Sequence, residues 1–192
     1  MAGLLLAAGG GRRLGGRPKA LLDHRGRPLV EHAARALQDG GCGPVHIVLG
    51  AAAASVRERA DLSSYTTSEN PDWAQGMGSS LRVGLAALAG SGADAIVVSL
   101  VDQPGIGAAA VARVVGAYEG RASLVSAAYE GRRGHPVLFG ADRWAEVAAT
   151  AEGDRGARAY LRRHEDAITL VECADVAEAY DIDTPEDLHR LE

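Results

Sequence analysis

Aromatic side chains are scarce in this sequence: 4 % of 192 residues, with a single Phe and two Trp. The core must therefore be built from Ala, Val, Leu and Ile, within a hydrophobic fraction of 47 %. Such side chains suit helices packed closely on a sheet better than a β-sandwich. Cysteine is rarer still. Cys42 and Cys173 lie far apart in the chain and match no metal or redox spacing. They read as two free thiols in a reducing compartment. Excess basic charge is missing as well. A net charge of −5 lacks the footprint of a general nucleic-acid binder. No apolar stretch is long enough to span a membrane. The run at residues 4–8 has no basic region before it and three glycines after it, unlike a secretory signal. The expected setting is the cytoplasm, with no nucleic-acid and no membrane partner.

What is present is an alternation of short apolar runs and helical patterns. Strands are predicted at residues 3–8, 45–49, 65–68, 95–100 and 124–129. Helices are predicted at 28–38, 51–60, 79–89 (with a Ser cap) and 108–118. After residue 129 the rhythm changes: 134–139 reads as an extended, antiparallel-type segment, 155–164 as a helix, 168–172 as a strand. Residues 185–191 read as a last helix with Pro at its first turn. The fold class is α/β, in three layers, with a mostly parallel sheet covered by helices on both faces. The length suggests one domain over residues 1–192. Ligands of open α/β sheets bind beyond the carboxyl ends of the strands, so the segments after the strands matter most.

Leu6-Ala7-Ala8-Gly9-Gly10-Gly11-Arg12-Arg13-Leu14-Gly15-Gly16-Arg17-Pro18-Lys19 follows the first strand. Glycines let backbone N–H groups approach phosphate oxygens, and Arg12, Arg13, Arg17 and Lys19 add charge-assisted hydrogen bonds. A dinucleotide fingerprint would need Gly where Leu14 stands. A P-loop needs Gly-Lys-Ser/Thr, but Gly16 is followed by Arg17-Pro18. The loop is an anion site of a third kind.

Leu6-Ala7-Ala8-Gly9, then Arg13-Leu14-Gly15, then Lys19-Ala20-Leu21-Leu22 resembles the signature of the MobA-like nucleotidyltransferases, with Leu14 where the family has Met. The resemblance is nearest to the molybdenum cofactor cytidylyltransferase branch and runs from residue 4 to about residue 188. It implies a Rossmann-like nucleotidyltransferase fold. It also implies that the loop backbone, Leu6 to Arg12, holds a triphosphate that Arg13 and Lys19 neutralise.

Asp102 ends the apolar run Ala95-Ile96-Val97-Val98-Ser99-Leu100-Val101. A carboxylate there can hold Mg²⁺, which takes one or two carboxylates and fills its shell with phosphate oxygens and water. It can equally cap the next turn. Asp-x-Pro is the family's metal-binding form, which implies Asp102 as the metal ligand. Asp183-Thr184-Pro185-Glu186 alone is an ordinary helix start. The resemblance makes Asp183 the second ligand, with Asp181 behind it.

Asn70-Pro71-Asp72-Trp73-Ala74-Gln75-Gly76-Met77-Gly78-Ser79-Ser80 places two glycines and two hydroxyls at a helix start. Gly78, Ser79 and Ser80 can open room for a flat base and read its edge. The block is similar to that of the cytidylyltransferase branch, as is Leu-Ala-Ala-Gly, so CTP is expected over GTP. Arg132, Arg133 and His135, with Arg155 and Arg158 further on, can pair with an acceptor phosphate. The resemblance makes this C-terminal half the pterin-binding half.

The implied reaction is attack of a molybdopterin phosphate on the α-phosphorus of CTP, with Mg²⁺ and release of pyrophosphate, the product passing to a molybdoenzyme. Asp102, Lys19 and Arg13 would be the catalytic groups. A guanylyltransferase or sugar-phosphate nucleotidyltransferase of the same fold is the nearest alternative. Reductases resembling the family, and a non-catalytic cofactor carrier, are the alternatives of another class. The missing dinucleotide fingerprint speaks against an NAD(P)H-dependent reductase.

Overall fold

The protein is described by a computed structural model over residues 1–191. In chain order the strands are β1 (Ala2–Ala7), β2 (Asp23–His24), β3 (Arg27–Pro28), β4 (Val45–Leu49), β5 (Thr66–Glu69), β6 (Ala95–Leu100), β7 (Leu124–Tyr129), β8 (Arg132–Gly140) and β9 (Thr169–Glu172). The helices are α1 (Leu29–Asp39), α2 (Ala53–Arg59), α3 (Met77–Leu88), α4 (Ala108–Gly116), α5 (Trp144–Thr150) and α6 (Arg158–Arg163). All residues of β1, β4 and β6 are buried. Strands apolar on both faces fit only inside a sheet covered on both sides.

The main sheet runs β5-β4-β1-β6-β8-β7-β9. Neighbours are parallel except at β8, which is antiparallel to both β6 and β7. Successive side chains of a strand face opposite sides, and β1 divides accordingly. Leu5 and Ala7 join Leu29, Leu37, Val111 and Val114 of α1 and α4. Leu4 and Leu6 join Leu81 and Leu85 of α3, Val147 of α5 and Tyr160 of α6. Each fully buried Leu contributes roughly 1.5–3 kcal/mol. Close helix–sheet contact needs small residues, and a Cβ on Gly84 of α3 would run into the side chain of Leu4. The α/β architecture expected from the alternation is the one observed.

Several boundaries differ from the sequence reading. α3 begins at Met77, and Ser79 lies inside it rather than capping it. The extended segment expected at 134–139 spans Arg132–Gly140 and lies within the sheet. The helix expected at 155–164 is shortened to α6 because Gly156, at φ +51, ends a 3₁₀ turn at Gly153–Arg155. Pro185–Leu191 is 3₁₀ rather than α. α5 was unforeseen, since Val147 is its one buried residue and gives no helical stripe. The β2–β3 hairpin was unforeseen too. Its Arg25-Gly26 turn takes φ 54 and 79, the positive pair of a tight hairpin, with Arg where Asn or Asp is usual. Both cysteines are buried and free, and burial raises the Cys42 thiol to about 11. No helix among the described residues is long and apolar enough to cross a membrane.

Candidate active site

A cleft of about 950 Å³ opens beyond the C-terminal ends of β1 and β6. Gly9, Gly10, Gly11, Arg12 and Arg13 line one side of it, with Leu6 and Ala8. Ala7 points into the core instead. Gly11 takes φ +60 and a Cβ there would strike the Arg17 carbonyl oxygen. That carbonyl contact explains why glycine stands at this position. The Gly11 carbonyl accepts from Leu14 N (2.8 Å) and Gly16 N (3.0 Å), folding the loop back on itself. Leu14 is buried and pins the loop to the core, while Arg12 and Arg13 stay exposed. Leu and Met are apolar side chains of similar volume, so the departure from Met keeps this buried anchor.

Pro18 precedes a 3₁₀ turn, Lys19–Leu21, whose Ala20 is buried. That turn aims Lys19 into the cleft. Its Nζ lies 2.6 Å from Asp102 Oδ2 and 2.5 Å from Asp183 Oδ1. Arg13 Nη1 reaches Asp183 Oδ2 at 3.4 Å, but the Arg13 side chain is 74 % exposed and the pair adds little.

Asp102 follows β6, and its carbonyl accepts from Ile182 N at 2.9 Å. Ile182 is fully buried, while Asp181 and Asp183 on either side of it line the cleft. The helix-start reading of this segment changes in one respect. It is Asp187 that caps, accepting from Asp183 N (3.0 Å), Thr184 N (2.8 Å) and Thr184 Oγ1 (3.0 Å). With those donors satisfied, the Asp183 carboxylate is free to face Lys19. Asp181 accepts from Gln103 Nε2 at 2.8 Å.

Burial pulls the Lys19 ammonium down, but Asp102 and Asp183 pull harder and hold it above its ordinary value. Burial pushes the Asp102 carboxyl up against the opposing pull of Lys19, and Asp181 and Asp183 add to the push. One ammonium therefore serves more negative charge than it can neutralise. Among the described residues no group of three or more His, Cys, Asp or Glu is placed to hold a metal. The donor set at Asp102 and Asp183 is two hard carboxylate oxygens meeting on one cation. It fits a divalent ion that takes its remaining ligands from phosphate and water.

Gly78 and Ser79 lie outside the cleft, contrary to their expected contact with a base; Gly76, Met77 and Ser80 line it. A Cβ on Gly78 would meet the backbone of Ala151 and Glu152, and one on Gly76 the backbone of Gly153 and Asp154. Both glycines let α3 dock against the turn that leads to Arg155 and Arg158. The Ser79 hydroxyl lies 2.8 Å from the Gly76 carbonyl, and Asn70 Nδ2 donates to Ser79 Oγ (2.8 Å) and Ser80 Oγ (3.0 Å). These hydroxyls serve the helix start first.

Arg133, His135, Arg155 and Arg158 also line the cleft; Arg132 is exposed and outside it. β strands alternate faces, so Arg132 and Arg133 cannot both point inward. Burial holds His135 down to about 4, with Asp181 opposing and Arg158 assisting. It is a neutral imidazole at pH 7, not a second cation. Leu81, Val98, Leu100, Val137, Phe139 and Leu161 give the same cleft an apolar floor. Sequence reasoning missed this floor, because β6 is apolar on both faces and its pattern does not say which face meets the cleft. Trp73, part of the segment at residues 70–80 but given no role of its own from sequence, packs against Gly10 and Gly50 and lines the cleft.

Residues 3–168 match the MobA-like NTP transferase domain. The nicotine blue oxidoreductase of Paenarthrobacter nicotinovorans is 46 % identical, over 98 % of this chain and 95 % of that protein. The molybdenum cofactor guanylyltransferase of Cereibacter sphaeroides is 33 % identical, over 99 % and 94 %. A crystal structure of Mycobacterium tuberculosis Rv0371C in complex with manganese superposes with a TM-score of 0.79 at 27 % identity, covering 99 % of this chain and 96 % of that one.

Proposed function

The chain belongs to the MobA-like NTP transferase family, and from that premise we propose that it transfers a nucleotidyl group from a nucleoside triphosphate to the phosphate of a planar, molybdopterin-type acceptor. The observation that carries this reading is the meeting of Lys19 with Asp102 and Asp183 beside the glycine loop. The loop backbone would bind the triphosphate, with Lys19 and Arg13 neutralising it. Asp102 and Asp183 would hold Mg²⁺ or Mn²⁺, which supplies charge neutralisation of the phosphate oxygens. Arg133, Arg155 and Arg158 would orient the acceptor phosphate, and the apolar floor would carry its ring. A phosphomonoester has a second pKa near ~6 and is largely dianionic at neutral pH. It attacks the α-phosphorus without a general base, so positioning and charge complementarity do the catalysis.

The expectation of CTP rested partly on Gly78 and Ser79, which lie outside the cleft. The guanylyltransferase relative favours GTP. The test is pyrophosphate release from each of CTP, GTP, ATP and UTP with Mg²⁺ and molybdopterin. Release with none of the four would end the proposal.

A second reading is favoured by the oxidoreductase relative at 46 % identity. A glycine-rich anion loop can seat the diphosphate of a pyridine nucleotide, and an apolar floor can seat a planar dye. Oxidation of NADH or NADPH with such a dye tests it. Asp102→Ala separates the two: it removes nucleotidyl transfer and spares hydride transfer.

A further inference from the structure

We infer that Lys19 is the resident counter-ion of the Asp102–Asp183 pair, so that these carboxylates become free for a metal only when an arriving triphosphate draws Lys19 away. The inference rests on the proposed transferase reading of the site. Its basis is geometric. The Lys19 Nζ sits 2.6 Å from Asp102 Oδ2 and 2.5 Å from Asp183 Oδ1, with its side chain only 14 % exposed. A divalent ion would contact the same oxygens at about 2.0–2.1 Å if it is Mg²⁺. An ammonium and a metal cannot both occupy that point.

Charge gives the exchange its direction. One ammonium between two carboxylates leaves a surplus of negative charge, and a divalent cation leaves none. Lys19 gains a substitute partner when phosphate oxygens reach Gly9–Gly11, which line the same cleft. Pro18 and the buried Ala20 fix the turn, so the exchange would proceed by rotation of the lysine side chain rather than by movement of the backbone. Nucleotide and metal then bind with positive coupling, each raising the affinity of the other by the same factor. Without nucleotide, Lys19 keeps the metal out.

The deciding measurement is titration with Mn²⁺ alone, followed by electron paramagnetic resonance, for the wild-type chain and Lys19→Met. We expect Lys19→Met to bind one Mn²⁺ at least tenfold more tightly than wild type, and Asp183→Asn in that background to remove the gain. Should Lys19→Met lose its fold by circular dichroism, Lys19→Gln gives the same comparison with a polar side chain retained. Equal Mn²⁺ affinity in wild type and the folded Lys19 variant overturns the inference. Binding of a methylene-bridged triphosphate analogue is measured separately. Failure to bind any analogue would sink the transfer reaction, and the Mn²⁺ titrations would still decide whether Lys19 holds the site.

Discussion

Two charge clusters line the cleft, and they are stabilised in opposite ways. In the first, the charges of Lys19, Asp102, Asp183 and Asp181 all have partners within the protein. In the second, no carboxylate among the described residues pairs with Arg133, Arg155 or Arg158. His135 adds no charge there at neutral pH. Under the proposed exchange the first cluster gives up its lysine contact to bind its ligand, while the second would offer its cations directly to an anion. A site of the first kind resists stray metal binding, whereas an open arginine cluster favours rapid capture.

The largest effect is expected from Asp102→Ala. Removing the carboxylate should lower pyrophosphate release by about 10³-fold, the scale of losing a central electrostatic group, with the far-ultraviolet circular dichroism spectrum unchanged. An active, metal-dependent variant would take Asp102 out of the mechanism.

The next test concerns acid stability around His135. His135 is held down to about 4 from an ordinary value near 6.5. The unfolded chain therefore binds the extra proton at higher pH than the folded chain. Stability is fully present above about pH 6.5 and falls as pH drops from there toward 4, by on the order of 3 kcal/mol. His135→Gln should flatten that acid limb in a series of melting curves. An unchanged slope would mean that His135 is solvated and available to protonate.

Gly78→Ala probes the joint between α3 and the turn that precedes Arg155. Its Cβ would meet Glu152 N at 2.6 Å and the Ala151 carbonyl carbon at 2.8 Å. We expect a loss of about 2 kcal/mol in denaturant unfolding, with the preference among triphosphates unaltered. A changed preference at constant stability would return Gly78 to base recognition.

Arg158→Ala should have the smallest effect. It removes one of three unpaired cations, so the acceptor KM should rise roughly tenfold while binding of the triphosphate analogue stays constant. Equal weakening of both ligands would show that the two charge clusters are not independent.

The parts of the site that lie on one continuous segment were legible in the sequence. The glycine loop after β1 and Asp102 after β6 followed from an apolar run and the residues that end it. The same logic gave the parallel half of the sheet, because β1, β4 and β6 are apolar on both faces. Legibility failed where a residue's role depends on what packs against it. Gly78 and Ser79 looked like base contacts because composition does not say which side of α3 meets the Ala151–Asp154 backbone. Arg132 and Arg133 looked equivalent because period-two alternation says that one faces inward but not which. The sequence by itself determined the order of strands and helices and the chemistry available at each strand end, since hydrophobic patterning and backbone sterics are local. Only the tertiary structure decided that Lys19 and Asp183, separated by 164 residues, share a carboxylate–ammonium contact. The position of Asp183 is set by the buried Ile182 and the Asp187 cap, and no local pattern around Lys19 encodes it.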